Sequence, residues 1–283
     1  MRRIIIALCS CVLVVVCQSA VAPDDALREV GAASRTNLSV ALALGDKLVA
    51  AQPTNAHALA LRARLLERAH RYEDGLRDLS AALKLEPSTS QFWQGRGELN
   101  FKAGHFKESI ADFDRVIAAT PAQGPHHWQR GISLYYAGQF ADGRKQFESH
   151  QTVNPNDVEN AAWHFLCAAR ETSLTNARAR LLAPGKDARI PMQEIYEFYR
   201  GSRTAEEVLA VATRAKIDIR VRDALFYAHL YLGLYYEVAG EAAQAREHLQ
   251  KAASDDNADH YMGDVARVHL QVLSSRGAAS PTN

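Results

Sequence analysis

Apolar residues recur at helical spacing through most of the chain, in stretches of about a dozen residues divided by short polar turns. Between residues 56 and 157 these stretches come in pairs, split at His70-Arg71, Gly104-His105 and Gly138-Gln139. Each pair predicts two antiparallel helices. The pairs also repeat. Pro87, Pro121 and Pro155 stand 34 residues apart, and three other columns keep the same register: small Ala63, Gly97 and Gly131, aromatic Tyr72, Phe106 and Phe140, and bulky Leu79, Phe113 and Phe147.

Four columns holding one period over three units mark a helical repeat, and about 34 residues is the period of the tetratricopeptide repeat (TPR). The predicted fold is therefore all-α, a TPR helical solenoid with repeats at 56–89, 90–123 and 124–157. The small residue of each first helix, with Gly75, Ser109 or Gly143 in the second, lets two backbones approach while the bulky residue fills the space beside them. The proline cannot continue the second helix and biases its predecessor away from the α region, so each unit ends there. A single unit cannot bury its apolar face, so neighbours must stack.

The flanks follow the pattern less closely. Residues 23–55 read as N-terminal capping helices with a degenerate half repeat, because Leu38, Ala41, Leu42, Leu48 and Val49 keep helical spacing and Pro53 precedes Pro87 by 34 residues. Residues 158–225 predict an irregular helical insert, off the period. Pro184-Gly185 breaks it, Pro191 opens a short helix stopped by Gly201, and Thr204 with Glu207 forms a capping box for a helix to about Ala215. The period returns in a fourth repeat at 226–259 through Gly233, Gly240, Ala245, Leu249 and Ala252, with Asn257 in the proline column. A C-terminal capping helix at 260–277, centred on Tyr261 to Leu273, and a tail at 278–283 complete the chain.

Residues 1–22 differ in kind. Arg2 and Arg3 precede an uncharged apolar run from Ile4 to Val16, and Ala20-Val21-Ala22 is a small-x-small ending, which together describe a secretory signal peptide. An uncleaved membrane anchor is the rival reading. Cys17 is a candidate for lipidation as in bacterial lipoproteins, although Val16 stands where that pattern takes Gly, Ala or Ser. Once the segment is removed only Cys167 remains, so no disulfide forms within the chain. The net charge of +1 becomes +1 − 2 = −1 on loss of Arg2 and Arg3, and neither value points to nucleic acid.

Motifs for chemistry are missing. The chain carries no glycine-rich phosphate loop, no paired-histidine metal helix, no cysteine pairs at zinc spacing and no serine elbow. The adjacent pair His126 and His127 diverges on a helix, and His164 with Cys167 is one helical pair short of the four ligands that a closed site needs. No metal, no cofactor and no enzymatic activity are expected. Surface is what remains: first helices line the concave side, where repeat proteins take up partner segments. Trp128, Ile132, Tyr135 and Tyr136 form one stripe of the third repeat, facing the groove beside Gln94, Glu98 and Phe101. Either this stripe is an open partner site or the helices of 158–170 fold over it.

Two groups of residues carry a resemblance to a known family. Arg130-Gly131-Ile132-x-Leu134-Tyr135-Tyr136-x-Gly138 is followed by Asn154-Pro155-Asn156-Asp157 and Trp163, and then by Glu197-Phe198-Tyr199-x-Gly201 and Tyr231-Leu232-Gly233-x-Tyr235-Tyr236 leading to Gly240. This order resembles the NlpI-type periplasmic TPR lipoproteins over roughly residues 56 to 275. The resemblance implies an exported, non-catalytic adaptor, a homodimer held to the outer membrane by a lipid, that brings peptidoglycan hydrolases together with a processing protease. The alternative is a structural TPR component of another envelope assembly, such as pilus or outer-membrane machinery.

Overall fold

The computed structural model describes residues 23–34, 37–215, 223–254 and 260–278, and the signal segment with Cys17 lies outside them. All regular structure among the described residues is helical. Two N-terminal helices, α1 (Pro23–Ser34) and α2 (Leu38–Ala51), lead into three helical hairpins: α3 (Ala56–Arg68) with α4 (Tyr72–Leu85), α5 (Ser90–Lys102) with α6 (Phe106–Ala119), and α7 (Trp128–Tyr136) with α8 (Phe140–Gln151). Then come α9 (Val158–Glu171), α10 (Leu174–Ala179), α11 (Met192–Arg200), α12 (Ala205–Ala215), α13 (Ala224–Ala239), α14 (Ala242–Ala253) and α15 (Tyr261–Ala278).

Local chemistry accounts for the ends of these helices. The chain turns from first to second helix through a left-handed residue at one repeat position, His70 (φ 54°), Gly104 (83°), Gly138 (76°) and Gly240 (83°), and only His70 carries a Cβ there. Asn37, Asn55, Asp157 and Ser173 cap α2, α3, α9 and α10 by accepting a bond from a backbone N–H of the first turn. The capping box of α12 is closed in both directions: the Thr204 N–H donates to Glu207 Oε2 (2.8 Å) and the Glu207 N–H to Thr204 Oγ1 (3.3 Å).

The small and bulky columns meet as their spacing predicts. A Cβ on Gly97 would lie 2.8 Å from the Phe113 ring, one on Gly131 2.7 Å from Phe147 and one on Gly233 2.6 Å from Leu249. Ala63 and Leu79 are both buried in the same relation. Gly143 has a Cβ position 3.0 Å from the sulfur of Cys167, so the glycine of the second helix serves the next unit as well as its own.

Two sequence expectations need correction. The middle of the chain keeps the period in part: α9 starts 34 residues after 124, α11 34 residues later, and α10 at 174 in the register of α2, α4, α6, α8 and α14 (38, 72, 106, 140 and 242), while α12 and α13 start at Ala205 and Ala224, three and two residues ahead of it. What fails there is helix length and filling. Helix α10 ends at Ala179, ahead of Pro184-Gly185, and residues 181–188 run without regular structure. Second, the third repeat begins late. Pro121–His126 forms a 3₁₀ turn containing Pro125, so α7 starts at Trp128, and the pair His126 and His127 precedes the α-helix rather than lying on it.

Apolar burial falls into two clusters that meet inside α5. One runs from Val30 to Leu99 and is built mainly of Ala, Leu and Val. The other, starting at Phe101, is rich in aromatic rings, among them Phe147, Trp163, Phe165, Tyr199, Phe226 and Tyr231.

Candidate functional site

The concave face divides into an open and a closed part. Helix α15 returns across the array to α5 and lies over the inner surface of the third repeat. Its Tyr261 stacks on Phe101 (ring centroids 5.4 Å) and meets Trp128 edge-on (5.0 Å), and His269 Nδ1 lies 2.8 Å from the Tyr136 hydroxyl. Asp264 and Glu67 flank Lys102, with Nζ–O distances of 2.7 and 2.5 Å. Burial works against the Lys102 ammonium, but these two carboxylates hold its pKa above the ordinary lysine range. Three helices, α3, α5 and α15, are thus tied through one buried cation.

This arrangement corrects the reading of the aromatic stripe as an open surface. Phe101, Ile132 and Tyr135 are buried, and Trp128 and Tyr136 are partly so. Helix α9 contributes Trp163, 5.4 Å from the Tyr135 ring, as the covering alternative expects. Further cover comes from α15 and from α13, whose Glu237 accepts a bond from the Tyr135 hydroxyl (3.3 Å). Burial raises the Tyr135 pKa above the ordinary tyrosine value, so it remains a neutral donor.

Gln94 and Glu98, by contrast, are half-buried at the edge of a cleft. With His57, Ala60, Arg64 and Glu67 of α3 and Gln91 of α5 they line a cleft of about 400 Å³ between the first two repeats. Gln94 Nε2 donates to Glu98 Oε1 (2.8 Å), and Gln94 Oε1 is left without a partner. Burial lifts the pKa of Glu98 above the ordinary carboxylate value. The cleft therefore offers the exposed Arg64 guanidinium and the Glu98 carboxyl beside apolar Ala60 and Leu61, a mixture suited to a partner's main chain and side chains.

Candidate metal and nucleophile residues serve packing. Cys167 is buried, and burial raises its thiol pKa well out of the reactive range. His164 lies 3.4 Å from Glu148, and burial lowers its pKa, as it does for His127, whose ring packs near Phe113. Among the described residues no three His, Cys, Asp or Glu side chains group as metal ligands.

A further column escapes the sequence reading. Arg62 forms a two-pronged pair with Asp78 (2.7 and 2.7 Å) and reaches Asp46 (3.1 Å). Arg96 does the same with Asp112 (2.9 and 2.7 Å) and Ser80 (3.2 Å). Arg130 bonds Asp114 (2.6 Å) and Gln146 (3.3 Å). Each arginine joins the second helix of its own unit to that of the unit before. The signal is present in the sequence, since Arg62, Arg96 and Arg130 are 34 residues apart.

Comparison with known proteins finds the same repeat. The family model for the tetratricopeptide repeat matches residues 60–124. The fold is an all-α TPR solenoid. Among solved structures it is similar to a TPR protein from Parabacteroides merdae, at 13% identity and a TM-score of 0.57, over 89% of this chain and 98% of that one. The RS-1 MamA ArsTM double mutant shows 15% identity and a TM-score of 0.51, over 56% of this chain and 89% of that one. At such identities the likeness is one of fold.

Proposed function

We propose that this TPR protein is a non-catalytic, exported adaptor that binds segments of cell-envelope proteins in the cleft between its first two repeats. The observation that carries the reading is the contrast on the concave face: α15 occupies the third repeat, while Ala60, Gln94 and Glu98 with the exposed Arg64 line a cleft of about 400 Å³. Export rests on the charged, apolar and small-x-small succession of residues 1–22. The resemblance to the NlpI-type lipoproteins supports peptidoglycan hydrolases and a processing protease as partners, a homodimer, and attachment to the membrane through lipid at Cys17.

Co-purification from envelope extract tests this. Arg64→Glu combined with Gln94→Lys is expected to weaken partner retention by about tenfold or more with the melting temperature kept, since a few groove residues usually dominate such an interface. Partners retained at full strength by that variant, or a full-length, unmodified chain found in the cytosol, would overturn the proposal.

A further inference from the structure

The last helical hairpin, α13 with α14, carries a pair of histidines that neither the groove nor the cleft uses. His229 of α13 and His248 of α14 bring their Nδ1 atoms to 2.8 Å, with ring centroids 5.1 Å apart. His248 is buried and His229 half-buried. The surroundings are tight: one turn beyond His229 a Cβ on Gly233 would stand 2.6 Å from Leu249, the residue after His248, and Tyr236 stacks on the His248 ring with centroids 5.6 Å apart.

A contact of 2.8 Å between two ring nitrogens fixes where the protons are. A neutral imidazole has one N–H donor and one lone pair, so one ring presents its Nδ1 proton and the other its Nδ1 lone pair. A first added proton goes to Nε2 of the donor ring, away from the contact, and leaves a charge-assisted bond. A second has only the remaining Nδ1 lone pair. Both facing nitrogens would then carry hydrogen, and two like charges would lie in contact.

Neighbouring groups offer little to offset that repulsion. On α14, Glu247 and Lys251 act on His248 with opposite sign and pair with each other at 2.7 Å. On α13, Tyr236 is held neutral, because burial, with Glu206 of α12 and Glu241 nearby, raises its pKa. On α15, which packs against α14, Asp264 is shared by Lys102 and Arg267, and His269 meets the Tyr136 hydroxyl. Burial lowers the His248 pKa below the ordinary histidine value.

We propose that His229 and His248 form an acid-sensitive latch between α13 and α14, which holds while one proton lies between the two rings and parts when both rings become imidazolium. The sign follows by linkage. In the unfolded chain both rings take up a proton at about pH 6.5, whereas the folded contact resists the second, so the latch stabilises fully above that pH and progressively less as the pH falls through it. The pair lies outside the open cleft and stands independently of the adaptor reading.

NMR titration of the two imidazoles and thermal unfolding of the purified protein between about pH 7.5 and pH 5 test the latch. The two rings should titrate in steps more than about one pH unit apart. The wild-type melting temperature should fall with acid by about 3 °C more than that of His229→Gln, whose amide keeps a bond to His248 and takes up no proton. Both rings titrating together at about pH 6.5 overturns the proposal. So does an equal acid loss in the wild-type protein and the variant. Where His229→Gln fails to fold at neutral pH, the titration of the two rings decides alone.

Discussion

The first three repeats and the two units that follow share one spacing of helix starts and fill it in opposite ways. In the repeats of 56–157 the first helix carries Ala63, Gly97 or Gly131, and a bulky side chain of the second helix presses into the gap. In the next two units the same column holds Phe165 and Tyr199. These rings pack on each other edge-on at 5.0 Å, and the buried Tyr199 hydroxyl donates to the Tyr231 carbonyl at 2.9 Å. The first helix now carries the large side chain, while Leu181 in the second-helix column lies beyond the end of α10 at Ala179. A repeat period is thus a property of the backbone and its turns. Side-chain volume can be redistributed between helices without losing it, provided each interface is filled to native density.

That inversion makes opposite demands on one column, and mutation should expose them. The largest effect is expected where the column is filled. Phe165 is fully buried against Tyr199 and Tyr235, so Phe165→Ala should cost about 4 kcal/mol in denaturant unfolding. A loss below about 1 kcal/mol would mean that the middle units are loosely packed and that the comparison fails.

The reverse change tests the first half. A Cβ alone on Gly131 would lie 2.7 Å from Phe147, so Gly131→Leu should destabilise by about 2 kcal/mol through overpacking, and adding Phe147→Ala should recover part of the loss. An unchanged melting temperature for the single variant would contradict the packing described here.

The smallest effect concerns the turn shared by both halves. His70 alone holds a left-handed conformation that Gly104, Gly138 and Gly240 adopt without a side chain. His70→Gly is expected to stabilise the first repeat by about 0.5 kcal/mol, the relief of a strained φ less the bond between His70 Nδ1 and the Tyr72 hydroxyl at 2.8 Å. A clear loss of stability would show that this side-chain contact outweighs the strain.

Much of the array was legible because its determinants are near in sequence. A proline every 34 residues, a left-handed residue at each turn, a capping box and a small residue sixteen positions before a large one each act within a single unit, so they leave a periodic trace. The arginine column of Arg62, Arg96 and Arg130 left the same trace. In the middle of the chain the trace faded, since Phe165 and Tyr199 stand where small residues are expected, although α9, α10 and α11 start in register.

The position of α15 had no such trace. Its bonds join residues far apart, Tyr136 to His269 across 133 positions and Lys102 to Asp264 across still more, and an amphipathic helix reads alike whether its apolar face meets the next repeat or the far side of the groove. The sequence by itself determined that Trp128, Ile132, Tyr135 and Tyr136 share one inward face. Only the tertiary structure decided that the chain's own last helix lies there and that Gln94 and Glu98 line a cleft between the first two repeats, because which surface closes a superhelix depends on the summed rotation of all its units.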